Sequence, residues 1–460
     1  MNNGSTHDHR LRPAWFAVLG LTVAISSVGD ASGQTADLEV KASTATKADA
    51  QVADSVNLAS FDKVWEIVRD NHWEEDFGGV DWDQARKDLR PKVAAAKTTA
   101  EAREVLQELI GRLKVSHFGI IPSDAYSTIN EGTDAATGTG GEAGFTVRLR
   151  NNLVTIASVT PGSSADKAGV KPGWTIHQVA GKSHDELLES ATKASSTGPD
   201  RLDTTVGLLG ERLNRGAPGK TRTIEFKDYE GNVQSVDIVM EKADGTMAKF
   251  GHLPKMRVDY ETRQLPEDVT YFSFNLFFDP PNVMPAFRAA VEQARESKGL
   301  VIDLRGNHGG IAGMTFGMAS AFATEAGKMG VMKMRTQEMT FPLFPPLEPY
   351  TGPVAVLIDE CSISSAEIMS GGMQDKQLAR LFGTTTAGLA LPSTVVELPN
   401  GDRLQYAFAT YTSASGKVLE GVGVVPDEQI APGQQQLKEN PDPVLSRAVE
   451  WITEQDSTRP

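Results

Sequence analysis

The sequence predicts a multidomain chain of the α/β (α+β) class, and three observations carry that expectation. First, 460 residues exceed what one hydrophobic core usually supports. Second, beyond about residue 255, nearly continuous apolar runs such as Leu300-Val301-Ile302-Asp303-Leu304 and Val354-Ala355-Val356-Leu357-Ile358 alternate with helical patterns. Such runs suit strands buried on both faces of a helix-covered sheet. Third, the character of the chain changes twice before that point, from helical spacing to short β-type runs.

The segments follow in order. Arg10 and Arg12, an apolar run from Trp15 to Val28 and small residues ending in Ala31-Ser32-Gly33 read as a secretory signal peptide over 1–33. The run is short for a bilayer span and is broken by Gly20 and Ser26-Ser27, so an exported protein, periplasmic or secreted, is expected without a stable membrane span. Residues 34–57 are rich in Ala, Thr, Lys and Asp without an aromatic residue and are expected as a disordered leader. A helical unit over 58–122 is marked by Phe61, Val64, Trp65 and Val68, then by the capping box Thr98-x-x-Glu101 before Leu106, Leu109, Ile110 and Leu113. It closes at Val115-Ser116-His117-Phe118-Gly119, and a linker rich in Ser, Thr, Gly and Asp runs from about 123 to 140.

Residues 141–245 carry β-type runs at Phe145 to Leu149 and Leu153 to Val159, then Pro161-Gly162-Ser163-Ser164-Ala165 and Lys171-Pro172-Gly173-Trp174. This arrangement resembles a PDZ module. The resemblance places Gly144, Phe145, Thr146 and Val147 where that family exposes backbone N–H groups to a peptide's terminal carboxylate. Thr146 stands where the commonest form of the loop has its second glycine. Residues 255–460 form the α/β core, with Pro399-Asn400-Gly401-Asp402 as a hairpin turn between two further strands.

Composition excludes several functions. Sixty acidic against 45 basic residues give a formal charge of −15, opposite to what a phosphate backbone attracts, so nucleic acid is not an expected partner. A single cysteine, Cys361, rules out an internal disulfide and a cysteine zinc cage, and no His-Glu-x-x-His helix exists; neither metal nor cofactor is expected. Gly219-Lys220-Thr221 lacks the leading glycine of a phosphate loop.

Two loops at the carboxyl ends of the apolar strands could carry chemistry. In Arg305-Gly306-Asn307-His308-Gly309-Gly310, consecutive glycines let N–H groups converge as an oxyanion hole does, although a tight turn would use them equally well. In Asp359-Glu360-Cys361-Ser362-Ile363-Ser364-Ser365-Ala366-Glu367, a serine between strand end and helix start is held in the field of the helix N-terminus. Ser364 or Ser365 is therefore a candidate nucleophile, and a helix cap is the plainer use of either.

Taken jointly, Asp303 to Gly310, Ser362 to Ile368 and Gly423-Val424-Val425-Pro426-Asp427 resemble the carboxy-terminal processing (tail-specific) and tricorn-type serine peptidases, over about residues 58–430. The resemblance implies a core of the ClpP/crotonase-like type, a PDZ insert and serine endopeptidase activity on polypeptides, with free C-termini as one means of recognition. It places the nucleophile on Ser364 and the oxyanion donors on Ser365 and on Gly309 or Gly310. The processing branch takes a lysine base 25 residues after the serine, where this chain has Leu389. The tricorn branch takes a histidine from a Ser-His pair and a glutamate from Glu-x-x-Gly-Val-x-Pro-Asp, matched here by Ser116-His117 and by Glu420 to Asp427. The implied set is Ser364, His117, Glu420 and Ser116, with an imidazole of near-neutral pKa as base. His308 is a secondary candidate base, His72 and His252 read as structural or surface residues, and His177 and His184 fall in the PDZ-like part. The alternative is a catalytically inactive binding protein on the same scaffold, holding a peptide or an apolar ligand.

Overall fold

Three helices form the first unit: α1 (Lys47–Asn71), α2 (Trp82–Ala95) and α3 (Thr99–Gly111). The computed structural model describes residues 47–124, 126, 140–196, 200–251, 253 and 255–456. The expected signal peptide, the start of the leader, most of the 123–140 linker and His252 lie outside the described residues. Phe61, Val64, Trp65 and Val68 of α1, Trp82, Ala85, Leu89 and Val93 of α2, and Leu106, Leu109 and Ile110 of α3 share one core. Their three- and four-residue spacing puts each set on one helix face. Thr98 caps α3 by accepting from the Glu101 N–H at 3.1 Å, as the capping-box spacing predicts.

The expected disordered leader is corrected here, since α1 already spans 47–57 and Asn57 is buried. Ala and Lys favour helix, so one anchored at Phe61 and Val64 propagates back through this segment.

Strand β1 (Gly119–Ile121) carries the chain from this unit to the core and pairs antiparallel with Arg403–Ala407, Gly119 opposite Gln405. Arg403–Ala407 is the second strand of the expected hairpin; its first is Ser393–Glu397. Arg103 of α3 grips the turn, donating from Nε and one terminal nitrogen to the two oxygens of Asp402, each at 2.8 Å. The Asp402 side chain is fully buried and also receives the Ser123 N–H.

A β-rich module follows, with strands β2 (Phe145–Arg150), β3 (Leu153–Val159), β4 (Thr175–Val179), then helix α4 (Leu202–Asn214), β5 (Thr221–Lys227) and β6 (Val233–Val239). Spatial order follows chain order, which leaves β2 on an edge. Phe145, Val147, Ile156, Val206, Ile224 and Phe226 fill its interior.

The core sheet has five parallel strands in the order β7 (Val269–Phe274), β8 (Leu300–Asp303), β9 (Val354–Ile358), β10 (Arg380–Gly383) and β11 (Glu428–Gln429), with Tyr260–Leu265 antiparallel outside β7. Alternate residues serve opposite faces. Phe272, Ile302 and Val356 meet the helix Pro280–Arg295 and helix α5 (Ser365–Asp375), whereas Tyr271, Val301, Ala355 and Leu357 meet α6 (Pro443–Asp456). Burial on both faces is why these strands read as continuous apolar runs. Asp303 lies opposite Leu357, and Ile358 opposite Gly383, so the glycine loop and the serine loop leave the same edge. The β-rich module docks on that edge through Arg148 to Asp359 and Arg150 to Glu360, both at 2.5 Å.

Arg103→Ala leaves a buried carboxylate without its cation, and the expected cost is about 3 kcal/mol. Urea unfolding should show a lowered midpoint at unchanged slope, with Arg103→Lys intermediate. A midpoint equal to the wild type would mean that the grip contributes nothing.

Candidate active site

Helix α5 starts immediately beyond the serine loop, and Ser364 occupies its cap position with φ 57° and ψ −116°, a conformation that L-residues rarely adopt. The surroundings impose it. The Ser364 N–H donates to Leu389 O and to Glu367 Oε2, each at 3.0 Å, while its carbonyl receives the N–H groups of Glu367 and Ile368. Gly309 presses on the turn from the other side. A Cβ there would lie 2.7 Å from Ile363 O, Ser364 Cβ and Ser365 N, so only glycine fits.

Three serine hydroxyls sit within this turn, and two are engaged. Ser362 Oγ donates to Leu304 O at 2.7 Å, and Ser365 Oγ to Gly310 O at 3.0 Å. Ser364 Oγ makes no hydrogen bond to the described residues and is the only one of the three on a partly exposed residue. Backbone donors flank it. The N–H groups of Gly310 and Ser365 have no acceptor among the described residues, whereas the Gly309 N–H is taken by Asn307 Oδ1 at 2.9 Å. Of the two glycines the sequence offers, Gly310 is the one with a free donor. Ser365 is the first residue of α5, so its N–H also carries the positive end of the helix dipole.

The Ser-His pair is delivered by the segment just before β1. Glu420 accepts the Ser116 N–H at Oε1 and the Ser116 hydroxyl at Oε2, both at 3.0 Å, and the Ala390 N–H at 2.9 Å. Ser116 Oγ lies 2.7 Å from His117 Nδ1. A hydroxyl has one proton; with it given to the carboxylate, Oγ must accept from Nδ1–H, and the unprotonated nitrogen is Nε2. The relay thus selects the tautomer that a general base requires.

Two features depart from the sequence expectation. No hydrogen bond joins His117 to Ser364 in this structure; the link runs through one loop, on which Leu389 binds Ser364 and Ala390 binds Glu420. The imidazole is also not near neutral, because burial alone pushes it down to about 3, with Glu420 reaching it only through Ser116. Burial likewise raises Glu420, against the N–H and hydroxyl bonds it accepts.

Other candidates fall elsewhere. Leu389, at the lysine position, is fully buried with Ile363 and Ala387. Lys376 is at the far end of α5 from Ser364. His308 Nε2 lies 2.8 Å from Glu211 Oε1 on α4, an ion-pair approach off the hydrogen-bond direction, and so faces the β-rich module. His72 stacks on Trp73, and His184 Nε2 accepts the Val154 N–H. The residues Gly144 to Val147 open β2, and the amides of Gly144 and Phe145 are both engaged.

Sequence reasoning did not find Asp200. Its Oδ1 is buried without a partner among the described residues, and burial first, then Glu420, raises its carboxyl to about 7. Nothing local in the sequence around it signals this placement. Among the described residues no group of His, Cys, Asp and Glu could hold a metal ion, and no helix is long and apolar enough to cross a membrane.

Comparison with known proteins bears on this geometry. Residues 268–430 match peptidase family S41, and residues 58–111 match the tricorn protease C1 domain. The chain is 23% identical to carboxyl-terminal-processing peptidase 3, chloroplastic, of Arabidopsis thaliana over 382 residues, 81% of this chain and 68% of that protein. It is 25% identical to the carboxy-terminal-processing protease of Bartonella bacilliformis over 335 residues, 72% of this chain and 70% of that one. The fold matches the photosystem II D1 C-terminal processing protease at a TM-score of 0.56 with 18% identity, over 85% of this chain and 96% of that one.

Two predictions follow from the site. Glu367 accepts four donors, Ser364 N–H and Leu389 N–H on Oε2, Gly388 N–H and Thr386 Oγ1 on Oε1. Burial outweighs these donors and leaves its carboxyl raised to about 7; every donor nevertheless faces a carboxylate lone pair, so the ionised form is fully hydrogen-bonded. Glu367→Gln points an NH₂ group at two of them, with an expected loss of about 2–3 kcal/mol in chemical unfolding. A loss under about 0.5 kcal/mol would remove Glu367 from this role.

For His117 the sign is fixed by a folded pKa below the unfolded one. Below about 6.5 the unfolded chain takes up a proton that the folded chain refuses, so this residue makes stability fall as pH falls. Between pH 6.5 and 5 the loss is about 1.5 kcal/mol, and His117→Gln should show a pH dependence flatter by that amount. Parallel stability curves for the two proteins would refute a buried neutral imidazole.

Proposed function

A chain that carries a tricorn C1 domain followed by a peptidase family S41 domain is a serine-type peptidase, and from that premise we propose an exported endopeptidase that uses Ser364, His117, Ser116 and Glu420. The observation that carries the reading is the free hydroxyl of Ser364, held on a strained turn beside the unengaged amides of Gly310 and Ser365. Ser364 Oγ attacks the scissile carbonyl, its proton passes to His117 Nε2, and the oxyanion settles on those two amides. The imidazolium that forms donates through Nδ1–H to Ser116, whose hydroxyl passes the stabilising field of Glu420. A base depressed by burial works only if that field strengthens as the site closes, so Nε2 and Ser364 Oγ come within hydrogen-bond reach in the substrate complex.

Polypeptides are the substrates, and the PDZ-like module assists their recognition from its seat against the loop that carries Ser364. Export rests on the segment 1–33. The same scaffold as a holder of apolar ligands has no support: two cavities of about 370 and 350 Å³ are lined by such residues as Arg150, Arg201, Asp203, Glu360 and Gln434 to Gln436, which suit polar groups.

An active-site serine reagent and an unfolded protein substrate test the assignment. Ser364→Ala should abolish labelling and lower turnover by several orders of magnitude. His117→Ala should do nearly as much, while Ser365→Ala and Lys376→Ala keep most activity. If Ser365→Ala is the inactive variant, or His308→Ala loses what His117→Ala retains, the nucleophile or the base lies elsewhere.

A further inference from the structure

An extended peptide joins a sheet by pairing with an edge strand, and in a PDZ-like groove the loop before that strand gives its N–H groups to the peptide's terminal carboxylate. Here the edge is β2, with α4 alongside it. Four backbone groups at that edge already have a partner from the chain itself, the two amides of the carboxylate loop among them. The Gly144 and Phe145 N–H groups both donate to Asn214 Oδ1, at 2.7 and 3.0 Å. Farther along, Val147 O receives Arg148 and Leu149 O receives Arg150, each at 2.8 Å.

The helix closes the space as well. A Cβ at Gly210 of α4 would lie 2.3 Å from Val147 Cβ, so the helix backbone rests directly on the strand. Asn214 ends that helix and is fixed in place, its carbonyl receiving the Ala143 N–H at 2.8 Å. Its side-chain oxygen thereby stands where one oxygen of a bound carboxylate would stand.

We propose that Asn214 is the resident occupant of the carboxylate loop, so that the module as folded does not select free C-termini and residue 214 sets whether it can. A carboxylate makes stronger, charge-assisted bonds to the same amides than a neutral amide oxygen does. It must nevertheless displace a competitor attached to the same chain, whose effective concentration no dissolved peptide matches. Substrate help from the module then comes from its walls and not from a terminal carboxylate. The inference deepens the assisted-recognition reading above, and its test is a binding measurement that needs no catalysis.

The full chain carrying Ser364→Ala is titrated with a fluorescent peptide ending in a free apolar C-terminus and with its amidated copy. The expected result is equal affinity for the two peptides. Adding Asn214→Ala frees two amides and should give the free C-terminus an advantage of about tenfold or more, as loss of a bond to a charged group would predict. Asn214→Asp, which keeps an acceptor in place, should again show no preference. A tenfold preference for the free C-terminus without any change at 214 overturns the proposal, whether or not the alanine variant folds. So does a folded Asn214→Ala protein that still treats the two peptides alike.

Discussion

The carboxylate of Glu367 is the constraint on which the rest of the site depends. Its two oxygens hold the amide that fixes Ser364 and three donors of the loop 386–389. Thr386 Oγ1 in turn receives the Val424 N–H at 2.7 Å, and Gly388 O receives the Gly421 N–H at 2.8 Å. Three chain segments remote in sequence are thus set against one buried carboxylate: the serine turn, the loop that carries Leu389, and the segment that presents Glu420. A charge in such a place is tolerated because its lone pairs are filled, and each filling bond also dictates a backbone position.

Asp359 does comparable work one step away. Oδ1 receives the N–H groups of Gly306 and Cys361, while Oδ2 receives Arg148 from the β-rich module. The glycine loop, the serine loop and the docked module therefore share one carboxylate. Replacing such a pair by apolar residues is often neutral for stability. What it supplies is register: Arg148 meets Asp359 only if β2 lies at one height on the strand-end edge, and that height brings α4 over the glycine loop, where Glu211 meets His308.

Much of this was legible in the sequence, and the physical reason is locality. Strands β8 and β9 announce themselves because both faces are apolar, and a serine between a strand end and a helix start can be placed from spacing alone. Ser116, His117 and Glu420 were legible only through the family resemblance, and in the structure Ser116 bonds to both of the others. Helix α2 escaped notice because Pro91 and a largely charged surface dilute a period carried by only four buried residues. The helix over 47–57 escaped because that stretch has no aromatic residue and a composition rich in Ala, Lys and Asp, which also suits a disordered tether. Asp200, Glu211 and Asn214 were invisible for a different reason: each acts through a neighbour that only the fold supplies, and a single polar residue in a helix or loop has no local signature. The depressed pKa of His117 belongs to the same class, since burial is a property of the whole assembly.

The Ser-His pair comes from the segment just before β1, and Ser364 from a core far along the chain. Contacts of such long sequence separation form late in folding and slowly. Before the N-terminal unit has closed on the hairpin at Asp402, the core can build its sheet and its strained turn without any base within reach. On the proposed assignment, hydrolysis then belongs to the finished tertiary structure and not to any single foldon, because Ser364 and His117 meet only through contacts about 250 residues apart in sequence.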